Sequence, residues 1–183
     1  MTRLYLVRHG RAAAGFGEAM NPGLEPSGRE QAREAARKLA PLGPLNILTS
    51  PLARARQTAR PLAALWTRVP VIEPAIAEIP SPKGMALAER AAWLRKLMAG
   101  TWQDAPPALA NWREAVFVKL ISQNQDAVIF SHFIAINAAV GVALDDDRVV
   151  VFSPDNCSVT VIDVEYETLR LVEKGHEAQT QVN

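Results

Sequence analysis

One cysteine, Cys157, stands in a chain of 183 residues. That excludes an internal disulfide and suits a reducing compartment, so a cytoplasmic location is the expectation. Charge of one sign is lacking too: 20 Lys and Arg against 19 Asp and Glu leave a net +1. With no net field, no basic tail and no interleaving of aromatic and basic residues, neither nucleic acid nor a membrane surface is an expected partner. No apolar run reaches the roughly 18–20 residues of a bilayer span. The first strand begins at about Arg3, which leaves no room for a removable leader. There is no internal repeat and no low-complexity tract. Zinc-type spacing and a nucleotide-binding glycine loop are also missing, so no metal and no cofactor is expected. What is there is 49% hydrophobic, enough to bury a sizeable core. The length fits one domain, expected over residues 1–183. Nothing in the composition sets an oligomeric state.

The informative stretch comes first. Leu4-Tyr5-Leu6-Val7 is a short apolar run of the kind that forms a buried strand, and it ends on Arg8-His9-Gly10-Arg11. In open α/β sheets, ligands bind beyond the carboxyl ends of strands. Arg suits phosphate, because its planar fork offers two parallel hydrogen bonds. His serves as nucleophile, base or metal ligand, and Gly10 permits a sharp turn. By itself the tripeptide also fits the plain polar end of a strand, so it needs partners.

The chain supplies them in order. A flexible loop from Ala12 to Gly23 leads to a helix whose signals are Ser27 as N-cap with Glu30 three residues on, a capping box, followed by Gln31 to Leu39. Leu45 to Thr49 reads as a second strand. Ser50 as cap and Pro51 at the first helical position open the next helix, which puts Arg54 in its first turn. A cation there is unfavourable to the helix dipole unless an anion compensates it. Val69 to Ile72 reads as an edge strand, because Pro70 donates no ladder bond. Glu78 follows between apolar residues, where partial burial would raise its pKa towards acid–base work. Helices are expected over Met85–Met98 and Ala108–Ile121, a helical cover at about 80–123. Ala127 to Ser131 is the clearest buried strand and ends on His132, before a small-residue helix from Ile134 to Val142. Asp145-Asp146-Asp147 reads as a solvated acidic turn. Val149–Phe152 reads as a short strand, and Ser158–Val164 with Thr168–Val172 as a hairpin. From Lys174, past His176, the tail reads as irregular.

Taken together the pieces resemble one family. Leu6-Val7-Arg8-His9-Gly10 resembles the signature of the histidine phosphatase superfamily, the phosphoglycerate-mutase-like family. Leu24-Glu25-Pro26-Ser27-Gly28 with Gln31-Ala32 resembles its first-helix entry. Thr49 to Ala59, with Arg54, Ala55, Arg56, Gln57 and Thr58, is close to its second motif. Ser131-His132 resembles the third, and Asp155-Asn156-Cys157-Ser158-Val159 the closing strand. The matches run in the right order over nearly the whole chain.

The resemblance implies an α/β fold: a three-layer α/β/α sandwich with a mainly parallel central sheet. It implies a metal-independent phosphatase that hydrolyses a phosphomonoester through a phosphohistidine on His9. Arg8 and Arg54 would grip the phosphate, His132 would complete the pocket, and Glu78 would be the proton donor, with Glu73 and Glu89 as competitors. Arg11 and Asn156 are further expected substrate contacts. The expected substrate is a small phosphorylated metabolite rather than a phosphoprotein. Arg11 stands where the family commonly has a carboxamide or carboxylate, and Phe133 where glycine is frequent. The Glu78 segment lacks the Gly-Trp-Glu run of the true mutases. The competing readings are a phosphoglycerate-type mutase and a low-activity phosphate-binding regulatory module.

Overall fold

The structure is a computed structural model that describes residues 1–178. Its centre is a six-stranded sheet. In chain order the elements are β1 (Thr2–Arg8), α1 (Pro26–Leu39), β2 (Asn46–Thr49), α2 (Ala53–Trp66), β3 (Val71–Ile72), α3 (Leu87–Met98), α4 (Pro107–Ile121), β4 (Ala127–Ser131), α5 (Phe133–Leu144), β5 (Val159–Glu165) and β6 (Thr168–Glu173). The strand order is β3-β2-β4-β1-β5-β6. Strands β3, β2, β4 and β1 run parallel, and β5 and β6 complete one side antiparallel. This is the expected mainly parallel sheet.

The two-residue period of the strands divides the core into layers. Leu4, Leu6, Leu48, Ala127 and Ile129 face α4 and α5, where they meet Val116, Leu120, Ile136, Ala139 and Val140. Val7, Ile47, Val128 and Phe130 face α1 and α2, against Ala36, Leu39, Ala59, Leu62 and Ala63. Truncating a fully buried strand residue such as Phe130 to Ala would cost about 3–5 kcal/mol. A third cluster, Ile79, Trp102, Leu109, Phe133, Ile134, Ala138 and Val149, sits beside the carboxyl ends of the strands. Half-buried Trp93, Leu94 and Leu97 of α3 lie over it.

Several local expectations are corrected. The helix expected to start at Ser27 begins at Pro26, and its cap position is Glu25. Ser27 lies inside the first turn and its hydroxyl donates to the Glu25 carboxylate, so there is no capping box with Glu30. Docking sets this start. A Cβ on Gly28 would lie 2.1 Å from the Arg11 carbonyl oxygen, and one on Gly10 would lie 2.5 Å from that of Gly28. Only a pair of glycines lets the helix entry sit on the loop after β1. Likewise α2 begins at Ala53, with Ser50 and Pro51 in the turn before it. Ser50 Oγ accepts from Leu52 N at 3.2 Å instead of capping the helix. The expected strand at Val149–Phe152 does not form. Its amides are taken by buried Asn137 of α5, whose Oδ1 accepts from Val151 N at 2.8 Å and Phe152 N at 3.1 Å, and by Gly100 O. The helical cover also divides: α3 lies over the third cluster, whereas α4 sends Val116 and Leu120 into the main core.

Candidate active site

Strand register places the histidines. Arg8 of β1 pairs with Ser131 of β4, and Thr49 of β2 with Phe130. One residue beyond each lie His9, His132 and Ser50, side by side at the carboxyl edge of the sheet. His9 N donates to Ser131 O at 3.0 Å, and Ser50 N to Phe130 O at 3.0 Å, which carries the ladder one step further. The rings of His9 and His132 lie 5.1 Å apart, tilted by 60°. Gly10 N donates to Thr58 Oγ1 at 3.0 Å, and that hydroxyl donates to Arg54 O at 2.7 Å. Thr58 thereby ties the loop after β1 to the first turn of α2 and so to Arg54.

Hydrogen bonding assigns the His9 tautomer. Nδ1 is 2.7 Å from Gly10 O, so it carries the proton and donates. Nε2 then holds a lone pair, which accepts from Arg54 Nε at 3.1 Å. Burial, with Arg54 and Arg8 adding to it, holds the imidazole well below its ordinary pKa of 6.5. His9 is thus a neutral base with its free nitrogen turned towards a guanidinium. His132 is also driven well below 6.5, chiefly by burial and also by His9 and the two arginines. Its Nε2 meets Ser50 Oγ at 2.7 Å. Ser50 Oγ also accepts from Leu52 N, and the other ring nitrogen of His132, Nδ1, is buried with no partner.

The arginines are equally poised. Arg8 Nη1 donates to Pro154 O at 2.8 Å, its Nε has no partner, and its guanidinium lies 5.1 Å from the Phe133 ring centroid. Among the described residues, neither Arg8 nor Arg54 has a carboxylate within ion-pair distance. Desolvation lowers the pKa of both, and the largest opposing influence on each is Glu78. A buried and a half-buried cation lie with two buried imidazoles at the strand ends. Such an arrangement is costly unless an anion completes it.

Glu78 is the carboxylate at hand. Its Oε1 accepts from Ile79 N at 3.0 Å and its Oε2 from Ile134 N at 3.4 Å. Desolvation raises its pKa above the ordinary 4.5, against the pull of those bonds and of Arg54 and Arg8. The competitors are engaged elsewhere. Glu73 pairs with Lys119 at 2.8 Å and accepts from Ala75 N, and Glu89 accepts from Ala86 N at the start of α3. Asn156 Nδ2 donates to His9 O at 3.0 Å, so it braces the histidine's backbone. Arg11 is not brought into the cluster. Its side chain is 67% exposed and pairs with Glu25 at 3.0 Å, while its amide donates to Gln31 Oε1.

Three contributors had no role assigned from sequence. Thr58 and Gln57 lie inside a motif read for its arginine. Gln57 Oε1 accepts from Leu24 N at 2.7 Å and pins the loop before α1. Arg90, on α3, looks like an ordinary helix residue, yet it is buried and its charge depresses the pKa of Arg54. Only the fold brings it near.

Residues 4–176 match the histidine phosphatase superfamily (branch 1). An uncharacterized protein of the cyanobacterium Picosynechococcus sp. (strain PCC 7002) is 35% identical over 127 residues, covering 62% of this chain and 72% of the relative. Among solved structures, the phosphoserine phosphatase of Entamoeba histolytica superposes with a TM-score of 0.72 at 23% identity, over 94% of this chain and 96% of that one. A mycobacterial glucosyl-3-phosphoglycerate phosphatase gives 0.70 at 24% identity, over 94% and 98%. A putative alpha-ribazole-5'-P phosphatase of Escherichia coli gives 0.74 at 20% identity, over 99% and 100%. At these identities the likeness to the solved structures is one of fold.

Proposed function

The chain belongs to the histidine phosphatase superfamily, and from that premise we propose that it is a metal-independent phosphatase that hydrolyses a small phosphomonoester through a phosphohistidine on His9. The observation that carries the reading is the neutral His9, with Nδ1–H bound to Gly10 O and the Nε2 lone pair facing Arg54.

The steps follow from the groups present. An incoming phosphoryl group displaces the Arg54–His9 bond, and Arg54 turns its donors to the phosphate oxygens. Arg8 does the same with its unpartnered Nε. His9 Nε2 attacks phosphorus, forming the N–P bond as the ester P–O bond breaks. Charge spreads over the equatorial oxygens, where Arg8, Arg54 and His132 offset it. Glu78, whose pKa desolvation raises, gives its proton to the leaving alkoxide. Now ionised, it takes a proton from water, whose oxygen attacks phosphorus and breaks the N–P bond. Phosphate leaves and His9 is neutral again. Glu78 also supports turnover over binding alone, since a regulatory phosphate trap needs no half-buried carboxylate beside its arginines.

The test is release of free phosphate from small phosphomonoesters by the purified protein in the presence of a chelator. A rapid acid-free quench should retain one alkali-stable, acid-labile phosphoryl group per chain. Loss of activity on chelation, or turnover without such an intermediate, would overturn the reading.

A further inference from the structure

A cleft of about 520 Å³ opens between α4 and the far end of α5. That volume falls within the range of small-molecule sites. Sequence spacing builds its walls. Ala110, Arg113, Glu114 and Phe117 of α4 stand at i, i+3, i+4 and i+7, which is one face of a helix. Gly141, Val142 and the cap residue Asp145 form the opposite wall. The pocket around His9 lies at the other end of α5, which follows His132 directly. A rise of roughly 1.5 Å per residue puts Val142 about 14 Å along the axis from Phe133, so the two sites are separate.

The polar groups of the cleft are incompletely paired. Trp102, at one end, is only 4% exposed, and its indole N–H is buried without a partner. Arg113 lies over the Trp102 ring, 5.2 Å from the centroid, and Trp102 stacks in turn on Trp112. Arg113 Nη1 donates to Asp147 Oδ1 at 3.4 Å, a long bond, and its Nε is buried with no partner. Asp147 is divided, since its Oδ2 accepts from Gln103 N at 3.0 Å. Asp146 is paired with Arg148. Among the described residues, Glu114 and Asp145 have no cation within ion-pair distance. Packing does not require this arrangement, because Val116 and Leu120 already join α4 to the core beside α5.

Each part of the cleft asks for a different part of a ligand. Two N–H donors call for an acceptor, and a carboxylate fits the planar fork of an arginine. A bare anion is disfavoured, because Glu114, Asp145, Asp146 and Asp147 line the same cleft. Glu114 and Asp145 suit a cation instead. Ala110, Phe117 and Val142 offer an apolar wall. We propose that this cleft binds a free α-amino acid with an apolar side chain. Its carboxylate meets Arg113 and the Trp102 indole, and its ammonium meets Glu114 and Asp145. The inference goes beyond the phosphatase reading and does not depend on it, since none of these groups belongs to the pocket around His9.

Titration calorimetry on the purified full chain tests it. The probes are leucine, methionine, valine and phenylalanine, each beside its amide, which lacks the carboxylate, and its deaminated acid, which lacks the ammonium. At least one amino acid should bind, and its amide and its deaminated acid should each bind about 10- to 100-fold more weakly, the range of a lost charge-assisted bond. Arg113→Met should weaken the amino acid by a similar factor. The double variant Glu114→Gln with Asp145→Asn should do so too, and it serves if Arg113→Met does not fold. Both positions are exposed, and Asn tolerates the left-handed backbone of residue 145 at φ 53°. Four results overturn the proposal: no amino acid binding below about 10 mM, an amide or deaminated acid binding as well as its parent, an affinity unchanged in the double variant, or displacement by inorganic phosphate, which would place the ligand at His9.

Discussion

The two ends of β1 carry the same residue type in opposite situations. At its start, Arg3 donates to Asp163 of β5 through Nε at 2.8 Å and Nη2 at 3.0 Å, and Arg170 of β6 shares the same buried carboxylate. At its end, Arg8 has a carbonyl, an aromatic face and an unused Nε. Arg3 and Arg170 reach solvent in part, so their charges are doubly relieved. Arg54 is buried and Arg8 half-buried, and among the described residues neither has a carboxylate within ion-pair distance. On the proposed function, the difference separates a charge that holds the fold from a charge that waits for a ligand: the first is neutralised within the chain, and the second is left open.

That contrast breaks first at the proposed nucleophile. His9→Ala should lower phosphatase activity by about 10^4-fold or more, read as phosphate release, and it should abolish the trapped intermediate. A smaller loss would mean that the open charges serve another acceptor. Glu78→Gln should cost about 10^2- to 10^4-fold in kcat and reshape the pH profile. On the proposed mechanism, kcat/KM of the wild type requires neutral His9 and protonated Glu78. His9 titrates below its ordinary 6.5 and Glu78 above its ordinary 4.5. Activity should therefore fall as pH rises through the raised Glu78 value, and again as pH drops through the lowered His9 value. The alkaline limb should vanish in Glu78→Gln, and a limb that stays would assign the acid elsewhere.

Arg54→Met should cost about 10^2- to 10^3-fold in kcat/KM. Because it removes an uncompensated buried cation, its melting temperature should not fall with its activity. The smallest effect belongs to the other end of the strand. Asp163→Asn should lose about 1–3 kcal/mol of stability in thermal or denaturant unfolding and keep its activity per folded molecule. The Asp163 pKa is lowered chiefly by Arg3, whose hydrogen bonds favour the ionised form. Its stabilisation is thus in place above the ordinary carboxylate range and is lost as pH falls through the lowered folded value. If Asp163→Asn silenced the enzyme while Arg54→Met unfolded it, the contrast between the two ends would be reversed.

Much of the site was legible because its signals are local. His9 and His132 each follow a run of apolar residues, and a strand's end marks its own neighbour in a parallel sheet. Arg54 stood in the first turn of a helix that followed a strand. Where a local signal competed with packing, packing won. Ser27 and Glu30 have the spacing of a capping box, yet the helix starts at Pro26 because Gly28 must sit on the Arg11 backbone. Val149–Phe152 has the composition of a strand, yet its amides go to the Asn137 side chain. Ser50 read as a helix cap and turned out to partner His132. Arg11 read as a substrate contact and pairs with Glu25 in solvent.

By itself, then, the sequence determined the periods of the strands, the order of the elements and the residues at the strand ends, because these depend on near neighbours in the chain. Only the tertiary structure decided which arginines are neutralised. Arg3 finds Asp163 160 residues away, and Arg90 is buried against Phe16 and Met20 of a loop some 70 residues before it. Charge compensation is a long-range property, set by which side chains the folded chain brings within a few ångströms of each other. That property divides the arginines of this protein into those that support it and those we propose it works with.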